Sequence, residues 1–264
     1  MPTSLDNDFF KNRSLKLMDG LYFHKNLVRY QSFENQYISL RKKEGRIYSD
    51  GIVASLPDIE VSHPLFEEWI MRKKSTKRLV QYLNFRKPKT ILEIGCGNGW
   101  LIHYINSSVK ADCLGIDVNE TELRQAVRIF GKKQGLSFIY ADIFSELFDK
   151  SFADTIILAS VLQYFSDAKG LLKRLVNILP FGGQLHLLDT PLYTEKTIQA
   201  ARERSEKYFS SLDQTEMQFH YFHHQWNVLD TFNFTIRYNP DMFLNKLIRK
   251  IDNDSPFPWI IITK

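Results

Sequence analysis

Ile91-Leu92-Glu93-Ile94-Gly95-Cys96-Gly97-Asn98-Gly99-Trp100 is the stretch that decides the fold. It reads as a short apolar strand that passes through a glycine loop into a helix. Glycines allow a tight turn and a close backbone approach to a ligand, and the helix start offers unpaired amide donors. A nucleotide-like ligand is implied. A dinucleotide turn has the form Gly-x-Gly-x-x-Gly or Ala, whose third small residue lets helix and strand pack closely. Here Trp100 stands in that slot, and Gly99 comes one place early. Glu93 lies two residues before the first glycine, at the end of an apolar strand. Burying a carboxylate there without a partner is expensive, which favours a functional reading.

Working outward, short β-rich runs alternate with helical stretches from Thr90 onward, the pattern of a parallel sheet covered by helices on both faces. The expected strands are Thr90–Ile94, Asp112–Asp117, Ser137–Ala141, Thr155–Ser160, Gln184–Asp189, Phe232–Tyr238 and Trp259–Thr263. Helices are expected over Trp100–Ile105, Glu120–Phe130, Ala168–Leu179 and Met242–Ile251, with a turn near Ser145–Phe148. Upstream, His63 and Pro64 open a further helix, with Glu67 and Glu68 at its positive end. The fold class is therefore α/β, a Rossmann-like, seven-stranded, mostly parallel sheet sandwiched by helices. Residues 1–60 have poor periodicity and are read as a helical N-terminal extension, expected to cap the site, ahead of a catalytic-type domain over 61–264. The stretch from Pro191 to the sixth strand is long for one crossover. Thr194–Leu212 is read as part of an inserted lid, about residues 193–221, with a short return helix near His224–Asp230. In a competing arrangement Thr194–Leu212 is itself the return helix.

The glycine loop resembles the first motif of the class I S-adenosylmethionine-dependent methyltransferases, and later residues agree with it. The resemblance covers roughly residues 64–264 and implies S-adenosyl-L-methionine as methyl donor and S-adenosyl-L-homocysteine as product. It implies that Glu93 helps to hold the methionyl ammonium, where a carboxylate suits a cation better than a pyrophosphate. Gly95, Cys96, Gly97, Asn98 and Gly99 would border the cofactor. Asp117 would accept hydrogen bonds from both ribose hydroxyls, with Val118 beside the adenine, and Asp142 and Ile143 would stand at the adenine amino group. Ala159 and Ser160, after the fourth strand, would face the methionyl end. Plainer roles compete with some of these: Cys96 as a small loop residue, Asp142 as a helix N-cap.

Ligands of open parallel sheets bind outside the carboxyl ends of the strands, so acceptor-binding side chains should leave those ends. Gln163, Tyr164 and Tyr193 are the substrate-binding candidates. The sulfonium is already a strong electrophile, so alignment and exclusion of water matter most. If an acceptor proton must be removed, Tyr164, His220 and His223 are candidates by position alone. No metal site is expected, because no carboxylate or cysteine shares the histidine spacing.

Composition narrows the partners. The 264 residues contain 44% hydrophobic residues, enough for a sizeable core. The longest apolar run, Ile156 to Leu162, is interrupted by Ser160 and too short to cross a bilayer. Asp6, Asn7, Asp8, Lys11 and Arg13 are unlike a secretory signal, and Cys96 and Cys113 suggest no disulfide framework, so a cytoplasmic setting is expected. A net charge of +5 names no partner. Arg72, Lys73, Lys74, Lys77, Arg78, Arg86, Lys87 and Lys89 form a basic run, read as a solvated helix face in preference to an anion-binding surface. The Asn-Pro-Pro-Tyr and Pro-Cys motifs of DNA-methylating relatives are absent, which favours a small-molecule or saccharide/lipid-type acceptor over nucleic acid. The other functions in view are a non-catalytic, cofactor-binding regulatory or scaffold protein and an RNA or nucleic-acid methyltransferase.

Overall fold

The structure is a computed structural model that describes residues 15–24 and 28–264. The N-terminal residues Asp6, Asn7, Asp8, Lys11 and Arg13, on which the reading of an absent signal segment rests, lie outside the described residues. Among the described residues no helix is long and apolar enough to cross a membrane.

The centre of the molecule is β3 (Thr90–Ile94), paired in parallel with β4 (Asp112–Asp117) on one side and β6 (Thr155–Ala159) on the other. Adding β5 (Leu136–Tyr140), β7 (Gln184–Leu188), β9 (Trp259–Thr263) and β8 (Phe234–Tyr238) gives the order β5-β4-β3-β6-β7-β9-β8, in which β9 alone runs against its neighbours. Alternate residues feed two cores. Leu92, Leu114, Ile156, Leu185 and Ile262 point to one face, beneath Leu171, Leu172 and Leu175 of α6 (Ala168–Ile178). Ile91, Cys113, Phe138, Ile157 and Ile261 point to the other. That face is covered by α3 (Phe66–Arg86), α4 (Trp100–Ser108) and α5 (Glu120–Phe130). Double-sided burial is what a parallel sheet requires, and it is why these strands read as continuous apolar runs.

Among the described residues the sheet has nine strands, the seven expected plus two from the extension. The extension, expected to be helical, begins with a hairpin of β1 (Leu15–Met18) and β2 (Leu21–His24), and β2 adds to β5 in parallel. Its turn is Asp19-Gly20, with φ of 49° and 84°. Two successive left-handed residues give the tight turn whose twist matches a two-stranded hairpin. The added strands also cover what would otherwise be the open edge of β5.

Helix α1 (Gln31–Lys43) then lies over the carboxyl end of the sheet and α2 (Asp50–Ser55) packs on α5, both segments being tied to the helical layer by charge. Buried Glu34 accepts from Thr121 N and Oγ1 at 3.0 and 2.8 Å, closing the first turn of α5. Arg46 donates to both oxygens of Glu68, and Arg128 grips Asp50 in the same bidentate manner.

The basic face of α3 is less free than its sequence suggests. Arg72 pairs with Glu68, Lys73 with Asp58, Lys74 with Asp252 and Arg78 with Asp254. These cations hold neighbouring segments in place.

After β7, α7 (Glu195–Ser211) stands above the strand ends. Its Phe209 joins Leu40 of α1 and Met217 in a small separate cluster. The chain returns to the sheet through a 3-10 turn at Trp226–Leu229, whose Leu229 is buried in the α6-side core. Helix α8 (Phe243–Asp252) lies between β8 and β9.

Candidate functional site

Gly95, at φ 68°, ends β3, and a Cβ there would come within 2.3 Å of Val161. The loop is then pinned by one side chain. Asp117 Oδ2 accepts from Gly97 N at 2.7 Å, and Oδ1 accepts from Val118 N and Asn119 N at 2.7 and 2.9 Å. A carboxylate offers about four acceptor positions, so one remains for a ligand. Gly99 has φ 76°, and a Cβ on it would meet Phe138 at 2.6 Å and Ala126 at 2.9 Å. The early glycine thus supplies the close packing that a dinucleotide turn places one residue later. Trp100 is turned away onto Trp69, ring centres 5.0 Å apart.

A cavity of about 480 Å³ opens over this loop. Of the residues proposed from sequence to bind the cofactor, Gly95, Asp117, Val118, Asp142, Ile143 and Ser160 form its walls. Glu93, Cys96, Gly97, Asn98, Gly99 and Ala159 stand behind or beside those walls. Glu93 is 3% exposed, one carboxylate oxygen has no partner, and burial, reinforced by the charge of Asp117, holds its pKa well above the ordinary range. Burial likewise pushes the Cys96 thiol up, with Asp117 adding to the effect, which suits a loop residue and not a nucleophile. Asp142 caps its own turn, accepting from Phe144 N at 2.9 Å, while its other oxygen accepts from the Tyr30 hydroxyl.

Several wall residues were not singled out in the sequence. Glu122, in the first turn of α5, faces the cavity beside Asp117, and its pKa is raised to about 7 by burial and by that neighbour. A Cβ on Gly97 would lie 3.2 Å from its Oε2. The Asn119-x-x-Glu122 spacing was a usable signal, since Asn119 caps α5 by accepting from Glu122 N at 3.0 Å. Tyr30, Phe33 and Tyr37 from the extension complete the roof. No local pattern marks them, because their place depends on how α1 docks.

A second cavity, of about 650 Å³, contains all three substrate-binding candidates, Gln163, Tyr164 and Tyr193. Ser160 and Tyr164 are walls of both cavities, so the two chambers meet there. Arg41 of α1 donates to the Tyr164 hydroxyl oxygen at 2.8 Å and to Glu44 at 2.7 Å. The phenol keeps its own proton to donate, and burial raises its pKa. Ser160 and Asp189, at the tips of adjacent strands, both adopt left-handed backbone, with φ of 56° and 49°. Ser160 Oγ donates to Asp189 O at 3.0 Å. Paired strain of this kind collects at ligand sites. Half-buried Asp189 also accepts from Ser75 and Ser255, and desolvation raises its pKa.

The two histidine candidates part company. His220 is a wall of the first cavity, its ring 5.4 Å from Phe33. His223 lines neither chamber; its Nε2 meets Ser205 Oγ at 2.9 Å, and burial lowers its pKa. Among the described residues, no group of three or more His, Cys, Asp or Glu side chains is arranged to hold a metal ion.

The first cavity fits S-adenosylmethionine on its chemistry. Asp117, Glu122 and Asp142 would repel a pyrophosphate but suit a ligand that bears a sulfonium and an ammonium. Aromatic rings above and a glycine floor suit a nucleoside, and the volume is within the ~300–1,000 Å³ usual for such sites.

Residues 91–183 match the methyltransferase domain family. Methyltransferase 235L of Invertebrate iridescent virus 6 is 28% identical over 115 residues, 43% of this chain and 42% of that protein. The malonyl-[acyl-carrier protein] O-methyltransferase of Halalkalibacterium halodurans is 30% identical over 104 residues, 36% of this chain and 38% of that protein. The plantazolicin methyltransferase BpumL, solved with S-adenosylhomocysteine, superposes with a TM-score of 0.51 at 19% identity, over 86% of this chain and 99% of that one. Residues 91–183 are thus a methyltransferase domain by their family match, and the fold around them is shared with the BpumL structure. The chain's matches span less than half the length of these curated relatives.

Proposed function

We propose that the protein transfers the methyl group of S-adenosylmethionine to a small-molecule or saccharide/lipid-type acceptor. The observation that carries this reading is the meeting of two chambers at Ser160 and Tyr164, one over the glycine loop and one against Gln163 and Tyr193. Bound in the first chamber, the donor would supply an electrophilic methyl group. Asp117 would hold the ribose through its remaining acceptor position, Asp142 and Ile143 would border the adenine, and Glu122 would balance positive charge. Tyr164, oriented by Arg41 and still protonated, would direct the acceptor at the junction by donating a hydrogen bond. His220 is the group best placed to take a proton from it. In this reading residues 1–60 form a cap and residues 193–221 a lid, because α1 and α7 both contribute walls of the second chamber. Enclosure then excludes water from the transfer.

Calorimetry with S-adenosylhomocysteine tests the donor assignment. The intact protein should bind it, and Asp117→Ala should weaken binding by at least about tenfold, since the loop amides lose their anchor. Absence of binding by a folded wild-type protein, or unchanged affinity in the variant, would sink the assignment.

A further inference from the structure

Helix α8 turns its apolar side outward. Phe243, Leu244, Leu247, Ile248 and Ile251 recur at helical spacing on one stripe, which in a surface helix ordinarily meets the core. Here these five residues are between 43% and 88% exposed. The opposite side carries Lys246 and Arg249, with Lys250 following in sequence. The nearby acids are already engaged: Asp252 pairs with Lys74 at 2.7 Å and Asp241 with Lys246 at 3.4 Å. Arg249 forms no ion pair among the described residues. The helix is nevertheless held in place, with Asn245 Nδ2 donating to Asn239 O at 2.7 Å and Asn253 Nδ2 to Glu67 Oε2 at 2.6 Å. A groove of about 500 Å³ lies beneath it, and Met71 and Pro256 belong to both this groove and the second chamber.

We propose that α8 is an interfacial helix that seats the protein on an anionic lipid surface, with the second chamber facing that surface to receive a lipid-type acceptor. An apolar stripe backed by cations is the pattern that lies in the headgroup boundary, and ten residues are too few to cross it. Charge selects the occupant: an anionic surface complements Lys246 and the unpaired Arg249 in a way that an apolar partner surface does not. The acceptor part of the proposal rests on the reading of the second chamber given above; the docking part does not.

Co-sedimentation of the full chain with vesicles of phosphatidylcholine, with and without about one third phosphatidylglycerol, tests the docking. Binding should require phosphatidylglycerol and weaken with salt. Leu244→Glu combined with Ile251→Glu should lower the partition by more than about tenfold, and Arg249→Glu by about fivefold or more. Melting temperature and affinity for S-adenosylhomocysteine should not change in either variant. Equal binding to both lipid compositions, no binding, or full binding by the double variant overturns the proposal. So does a wild-type dimer in light scattering that becomes a monomer in the double variant, which would assign the stripe to a second copy. Vesicle binding without S-adenosylhomocysteine binding would leave docking intact and defeat the methyl-transfer reading.

Discussion

Replacing Glu122 with Gln should make the protein more stable than wild type at pH 8 but not at pH 4.5. Burial and the adjacent Asp117 raise the Glu122 carboxyl from 4.5 to about 7, against an opposing pull from Arg41. That interval corresponds to roughly 3 kcal/mol between the two protonation states. Glu122 is only partly buried, and water at the cavity mouth screens it, so about 1–2 kcal/mol is expected. The folded chain holds this proton more tightly than the unfolded chain. The contribution is therefore fully present below pH 4.5 and is lost as pH rises toward 7. Glutamine has no proton to lose, so the variant escapes that decline. Urea unfolding followed by tryptophan fluorescence at pH 4.5, 6, 7 and 8 gives the comparison, and the stability difference should grow across the series. A difference that stays constant with pH, or that shrinks as pH rises, would refute the account of Glu122.

Gly99→Ala combines a left-handed backbone with contacts under 3 Å to Phe138 and Ala126. It should lower stability by about 3 kcal/mol in calorimetric unfolding. Gly182→Ala has φ 76° but nothing within 4 Å of the added carbon, so only backbone strain of about 1 kcal/mol is expected. Tyr164→Phe removes the acceptor for Arg41 and should lower stability by about 1–2 kcal/mol. Its affinity for S-adenosylhomocysteine should stay within about twofold by calorimetry, because only the hydroxyl is lost and the ring keeps its place in the wall of the first cavity.

What was legible in the sequence was local. The run from Thr90 to Trp100 announces strand, loop and helix because each step is a contact between near neighbours, and Asp117 follows from the same unit. Glu93 shows the limit of such reading. Its position in the motif is plain, but its burial behind the loop is set by packing against α4. Asp19-Gly20 carried a hairpin signal that the aromatic and basic character of the following segment obscured. The cavity roof was hidden for another reason. Phe33, Tyr37 and Arg41 meet Tyr164, and Tyr30 meets Asp142, across more than a hundred residues of chain, through anchors such as Glu34 on Thr121 that have no sequence signature. Of the basic run, Lys77, Arg86, Lys87 and Lys89 face solvent as read, whereas Lys73, Lys74 and Arg78 pair with Asp58, Asp252 and Asp254 on distant segments, partners that no local pattern reveals.

The small cluster of Leu40, Phe209 and Met217 joins a helix from the first fifth of the chain to one from its last third. It works as a latch. Parting α1 from α7 would wet three side chains at about 2 kcal/mol each by transfer, before any polar contacts are broken. An opened form carrying that penalty, about 6 kcal/mol in all, is present in only about one molecule in ten thousand or fewer. Traffic of bulky ligands through this side would then be paced by the latch. Trimming Leu40 or Phe209 is accordingly a way to alter exchange rates while leaving the glycine loop untouched.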